Sequence, residues 1–155
     1  MSQLDTIIRG GRVATASDTV VCDVGVRGGS IVALGEALGA ADEVIDARDR
    51  LVLPGGIDSH VHLSQPSGPG IVMADDFESG TRAAAFGGNT LLMPFCMQQK
   101  GQSLRQAVKD YHALAEGRCH VDVSFHLIIS DRHPRCWARN CRHWSATATP
   151  LSRCS

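Results

Sequence analysis

Two histidines separated by one residue, His60 and His62, end a short run, Gly56-Ile57-Asp58-Ser59-His60-Val61-His62. On an extended strand, side chains alternate with period two, so both imidazoles project to the same side. Two neutral imidazoles on one face of a rigid strand are a natural pair of ligands for a divalent metal such as zinc. Asp58 lies on the same face, placed to orient a ligand from behind. A bare His-x-His is more often just two polar residues near a strand end. Here the context favours the metal reading: a β-rich prelude, Pro54-Gly55-Gly56 at a transition, an apolar strand and then a Gly/Pro loop.

The elements that position this pair follow from the pattern around it. Residues 5–53 read as short strands joined by tight turns. Ile7-Ile8 and Arg12-Val13-Ala14 flank a Gly10-Gly11 turn, and Gly28-Gly29 turns the chain from Val20–Val26 into Ile31–Leu34. Val44–Ala47 and Leu51–Leu53 are two more. Many short strands with glycine turns predict a small β-sandwich segment over residues 1–53, too short to bury a good core alone.

From residue 54 the rhythm becomes strand, loop, helix. Ile57–Leu63 is a strand, Ser64–Met73 a loop, and Asp76–Phe86 a helix with acids in its first turn and Gly87-Gly88 at its end. Asn89–Met93 reads as a buried parallel strand. Ser103 opens a second helix, with Gln106 as capping-box partner and Leu104, Val108, Tyr111 and Leu114/Ala115 on one face. Val121–Ile129 is a third strand. The fold class is therefore α/β: a small β-sandwich segment, then, over 54–131, the first three strands of an incomplete TIM-like barrel. His60 and His62 fall at the carboxyl end of its first strand, where such barrels build active sites. With three strands, two edges are open, a poor arrangement for a stable monomer.

Composition narrows the function classes. The 155 residues are 43% hydrophobic with a net charge of −1. Lys and Arg up to Asp131 are scattered among acids, which argues against a nucleic-acid surface. No apolar run approaches the ~20 residues of a membrane span. Met1–Asp5 lacks a secretory n-region and h-region, so the expected address is cytoplasmic and the expected state of the six cysteines reduced.

Residues 5–131 resemble the cyclic amidohydrolases: dihydropyrimidinases, hydantoinases, allantoinases and dihydroorotases. The matching stretches are Ile7-Ile8-Arg9-Gly10-Gly11, Asp46-Ala47, Leu53 through His62, and the glycine-ended helix from Asp75-Asp76-Phe77 to Gly87-Gly88-Asn89-Thr90. Dihydroorotases follow the second histidine with Leu-Arg, whose arginine binds the substrate carboxylate. Here Leu63 is followed by Ser64, so that anchor is missing. Asp75-Asp76-Phe77 and Met93-Pro94-Phe95 look most like the dihydropyrimidinase and D-hydantoinase branch.

The resemblance implies two zinc ions bridged by a carboxylated lysine and a hydroxide that attacks a ring amide carbonyl, with an aspartate shuttling the proton. His60 and His62 match the two histidines on the more buried metal. Ser64 and Gln65, after the first strand, and Met93 and Phe95, after the second, would face the ring substituent of a small cyclic amide or ureide. The family's lysine, two further histidines and aspartate come from later strands, and no residue here matches them. The expectation is thus a fragment that is inactive as written, whose parent is a homo-oligomer. The alternative is a non-catalytic subunit that associates with intact homologues. His112 reads as solvated, His120 as preceding a strand and His126 as lying within one, none with an assigned role.

After Asp131 the resemblance stops. Residues 132–155 hold three cysteines, both tryptophans and five arginines without one acid. Zinc binding by Cys136, Cys141, His143 and Cys154 fits no usual paired-cysteine spacing. The favoured expectation is an aberrant, disordered tail translated out of frame. Permitted codons for 135–155 read two bases later can give an amphipathic helix, a Gly turn and an apolar strand with one lysine.

Overall fold

The computed structural model describes residues 3–131, which fall into two compact units divided between Pro54 and Gly55. The tail from residue 132, with its candidate cysteines and the frame-shift reading, lies outside the described residues.

The first unit is one five-stranded sheet: β1 (Leu4–Ala14), β2 (Thr19–Arg27), β3 (Ser30–Gly35), β4 (Ala41–Asp46) and β5 (Leu51–Val52). The order is β3-β2-β1-β4, with β5 further along β1. β1, β2 and β3 are antiparallel neighbours, whereas β4 and β5 run parallel to β1. The expected sandwich is corrected to a single layer. Apolar alternation marks strands with two faces, but their backbone groups all join one ladder, and Val21, Ile31, Leu34, Val44 and Leu51 stay exposed. The core beneath is small, built on Val13, Cys22 and Val24 with Ile8 and Val52 against it.

Gly10-Gly11 is not a turn either. β1 runs straight through it, with an extra residue opposite β2 where the register passes from Ile8↔Val24 to Gly11↔Cys22. Gly10 adopts φ 67°, which glycine takes without strain. Its freed N–H donates to Asp23 Oδ1 at 2.8 Å. Asp23, 5% exposed, also accepts from Leu38 N at 3.2 Å and lies 3.7 Å from Arg9 Nε. The result is a β-bulge closed by a buried carboxylate.

The second unit alternates strand and helix: β6 (Gly56–Val61), α1 (Phe77–Phe86), β7 (Asn89–Met97), α2 (Leu104–Ala115), β8 (Asp122–Val123) and β9 (His126–Ile128). β7 pairs in parallel with β6 on one side and with β8 and β9 on the other. The expected third strand is broken in two between Val123 and His126, although Ser124 N still donates to Leu92 O of β7 at 2.9 Å. β7 is longer than expected, and alternation runs its whole length: Leu92, Pro94, Cys96 and Gln98 are buried, Leu91, Met93, Phe95 and Met97 half-buried.

The buried side of β7 packs under the helices. Phe77 and Leu63 meet Leu92, Cys96, Ala107, Tyr111 and Ala115. Phe77 lies edge-on to Tyr111 at 5.1 Å between ring centres, and Phe125 closes the group at 4.9 Å from Tyr111. Burial pushes the Cys96 thiol up to about 11 and raises the Tyr111 phenol well above its ordinary value. Gly80 lets α1 approach, since a Cβ there would run into Leu63.

Each helix begins on a cap. Asp76 accepts from Ser79 N at 2.8 Å, and Ser79 Oγ accepts from Asp76 N at 3.2 Å. Ser103 Oγ accepts from Gln106 N at 3.1 Å, but the expected return bond is absent because the Gln106 amide turns to Asp110 at 2.6 Å. Ala107 joins the buried face of α2, while Leu114 is 43% exposed.

Candidate functional site

β6 does not run in even register with β7. Asp58 pairs with Leu92 and Val61 with Pro94, so three steps on β6 match two on β7. Pro94 brings no N–H to the ladder at that point. The extra residue lies at Ser59-His60, a bulge of the kind that re-aims a side chain. Asp58 was expected to orient an imidazole ring. It instead accepts the His60 backbone N–H at 3.1 Å, closing one side of the bulge.

Beyond the bulge the two imidazoles lie together on the exposed side of the strand tip, ring centres 5.3 Å apart and edge to face. Phe95 is the floor between them, 4.6 Å from the His60 ring and stacked on His62 at 5.3 Å. Gln65 Oε1 accepts a short hydrogen bond from His62 Nδ1. That bond puts the proton on Nδ1 and leaves the Nε2 lone pair available. The His60 ring nitrogens take no hydrogen-bond partner among the described residues.

The chain leaving the pair is anchored as well. Tyr111 donates its hydroxyl to Leu63 O at 2.5 Å, from within the core. Ser64 then turns the backbone at φ 46°, its N–H donating to Asp75 O at 3.0 Å.

Of the four residues expected near a substrate, Gln65 and Phe95 touch the histidines directly. Met93 lies two residues before Phe95 on the same half-buried side of β7. The strand was expected to end at Met93 with Phe95 beyond it; both lie inside β7, because the apolar alternation continues to Met97. Ser64 shapes the turn. The residue that sequence reasoning passed over is His126. It pairs in register with Phe95, stacks on that ring at 4.8 Å and donates from Nε2 to Ser59 O at 2.8 Å. Its one legible signal was a place in the third strand level with Phe95. His120 stands apart, 3.4 Å from Glu78, and His112 is half-buried on α2.

The donor set fits a metal in part. Two imidazoles lie side by side, ring centres 5.3 Å apart, each with a ring nitrogen that takes no hydrogen bond among the described residues, a donor type that suits zinc. Among the described residues no group of three or more His, Cys, Asp or Glu stands close enough to hold a metal ion. His60 and His62 therefore fit as two ligands of a larger set.

No protein-family model matches the chain. A D-hydantoinase from Streptomyces coelicolor is 47% identical over 133 residues, covering 81% of this chain and 28% of the relative. A dihydropyrimidinase from Rattus norvegicus is 38% identical over 130 residues, covering 80% of this chain and 25% of its own length. The crystal structure of a dihydropyrimidinase from Brevibacillus agri superposes with a TM-score of 0.85 at 44% identity, covering 92% of this chain and 31% of that one. This chain is a homologue of the amino-terminal region of the D-hydantoinases and dihydropyrimidinases. It spans just over a quarter of the length of the curated relatives it matches. Allantoinases match as well, at 36% identity over 121 residues. The homology to D-hydantoinases rests on a region that includes β6, β7 and the histidine pair. No described helix is long and apolar enough to cross a membrane.

Proposed function

We propose that the protein belongs to a metal-dependent hydrolase that opens the ring amide bond of dihydropyrimidines or hydantoins. The strands β6, β7 and β8/β9 would begin its TIM-like barrel. The observation that carries this reading is the pair of imidazoles with free ring nitrogens at the carboxyl end of a parallel strand, in a chain 38–47% identical to enzymes of those names. His60 and His62 would hold one zinc ion through ring nitrogens. Zinc supplies a Lewis acid that lowers the pKa of water toward neutrality.

The residues of this chain do the binding and orienting. Gln65 fixes the His62 tautomer, Phe95 sets the spacing of the two rings, and Tyr111 holds the turn after them. Phe95 and Met93, half-buried on the same side of β7 as the rings, offer an apolar wall to a planar cyclic amide. The arginine that reads a carboxylate in dihydroorotases has no counterpart at Ser64, which favours an uncharged ring. A second reading, a non-catalytic homologue, is favoured by the incomplete donor set among the described residues. Neither the lysine nor the aspartate of the family site has a match here, so this chain alone is proposed to bind without turning over.

Dihydrouracil and hydantoin titrated into the zinc-loaded 155-residue chain test the substrate class by NMR. The expected result is movement of the Met93 methyl and Phe95 ring signals without product. Unmoved signals at saturating ring compound would overturn the class, and ring opening would overturn the account of the missing groups.

A further inference from the structure

The bulge at Ser59-His60 creates a problem that one side chain answers. An extra residue in a strand takes its own N–H and C=O out of the ladder, and backbone polar groups that lose a partner must find another. Pro94 worsens the mismatch, because it offers no N–H where the register slips. The His60 N–H is taken by Asp58. The Ser59 carbonyl is taken by a residue from a strand that does not pair with β6 at all: His126 of β9, whose Nε2 lies 2.8 Å from it. The imidazole reaches across β7, stacked on Phe95 at 4.8 Å, and Phe95 is the ring against which both His60 and His62 rest.

We propose that His126 is a positioning residue for the His60–His62 pair, holding the bulge open through the Ser59 carbonyl and holding Phe95 from the far side. A carbonyl oxygen only accepts, so Nε2 must carry the proton. That tautomer turns the ring into a brace. It does not join the pair as a third ligand, in keeping with the absence of any three-residue donor group among the described residues. The two histidines then lie between two anchors: Ser59 O, fixed by His126, and Leu63 O, fixed by Tyr111. Both come from parts of the chain far along in sequence, so the tip of β6 acquires its shape only when β9 and α2 have docked. The inference rests on the metal reading only for what the pair is held in place to do.

Imidazole-nitrogen NMR spectra of the 155-residue chain, in wild type and two variants, test it. The wild-type spectrum is expected to show His126 protonated on Nε2. His126→Phe keeps a flat ring on Phe95 and loses the donor; it should shift the His60 ring signals and weaken zinc binding about tenfold. His126→Gln restores an N–H donor and should recover most of that loss. A wild-type His126 protonated on Nδ1 would overturn the inference. So would a folded His126→Phe chain with unmoved His60 and His62 signals. If wild type binds no zinc, the metal reading fails while the spectra still decide the role of His126. If His126→Phe does not fold, the wild-type tautomer and the behaviour of His126→Gln decide it.

Discussion

Two of the register shifts among the described strands, one on β1 and one near the tip of β6, are built from opposite materials. In the first unit, β1 makes room for its extra residue with a glycine at φ 67° and closes the gap with a buried aspartate of the next strand. In the second, β6 carries no glycine at the bulge. It uses ordinary backbone, a half-buried aspartate one residue away and a histidine from two strands over. The first arrangement is closed by a buried carboxylate of the adjacent strand, Asp23, which also accepts from Leu38 N. The second leaves two imidazoles on the surface with free lone pairs. The bulge on β1 is closed by a side chain of its neighbouring strand, whereas the one beside the histidine pair is braced from several elements.

The difference can be broken from either side. Asp23→Ala should be the most damaging change, since it strands the Gly10 and Leu38 N–H groups in a buried site. A loss of about 3 kcal/mol is expected in chemical denaturation, and an unchanged midpoint would show that the first bulge needs no carboxylate. Alkaline pH should act on the second unit. Cys96 is 1% exposed and its thiol is raised from 9.0 to about 11. The folded form keeps a proton that the unfolded chain releases, so this stabilisation is complete below pH 9 and is lost as pH rises toward 11. Tyr111 adds to the loss above its ordinary value of 10.0. Melts followed by Tyr111 fluorescence at stepped pH should therefore fall steeply above pH 9, and Cys96→Ala should flatten the lower part of that fall.

Gly10→Ala comes next. It forces a Cβ into the left-handed region and to 3.0 Å from Arg48 Cγ, with an expected cost of about 1–2 kcal/mol. Ser59→Ala is the smallest. The second bulge uses only the carbonyl of Ser59, whose side chain is exposed, so stability should stay within about 0.5 kcal/mol of wild type. A larger loss would mean that the hydroxyl takes part.

What could be read from the sequence follows the range of the forces involved. The helix starts at Asp76 and Ser103 rest on local spacing, and the structure places both caps as spacing demands. The Gly10-Gly11 turn and the end of β7 at Met93 were misjudged because glycine and proline serve bulges and turns alike, and the partner strand decides between them. The sandwich was misjudged because alternation reports faces and says nothing of which strands share a ladder. His126 was passed over for the same reason: its meaning comes from Ser59, 67 positions away in sequence. Gln65 was legible as a neighbour of the pair, but its bond to His62 Nδ1 depends on the turn at Ser64.

The central claim is that β6 presents His60 and His62 to hold a metal ion together. Zinc titration of the wild-type chain, monitored by competition with a chromophoric chelator beside His60→Ala and His62→Ala, tests it most directly. The account predicts one zinc per chain in wild type, with each substitution lowering affinity by at least about tenfold while the melting temperature of the metal-free chain is unchanged. Equal zinc binding by all three chains would contradict it.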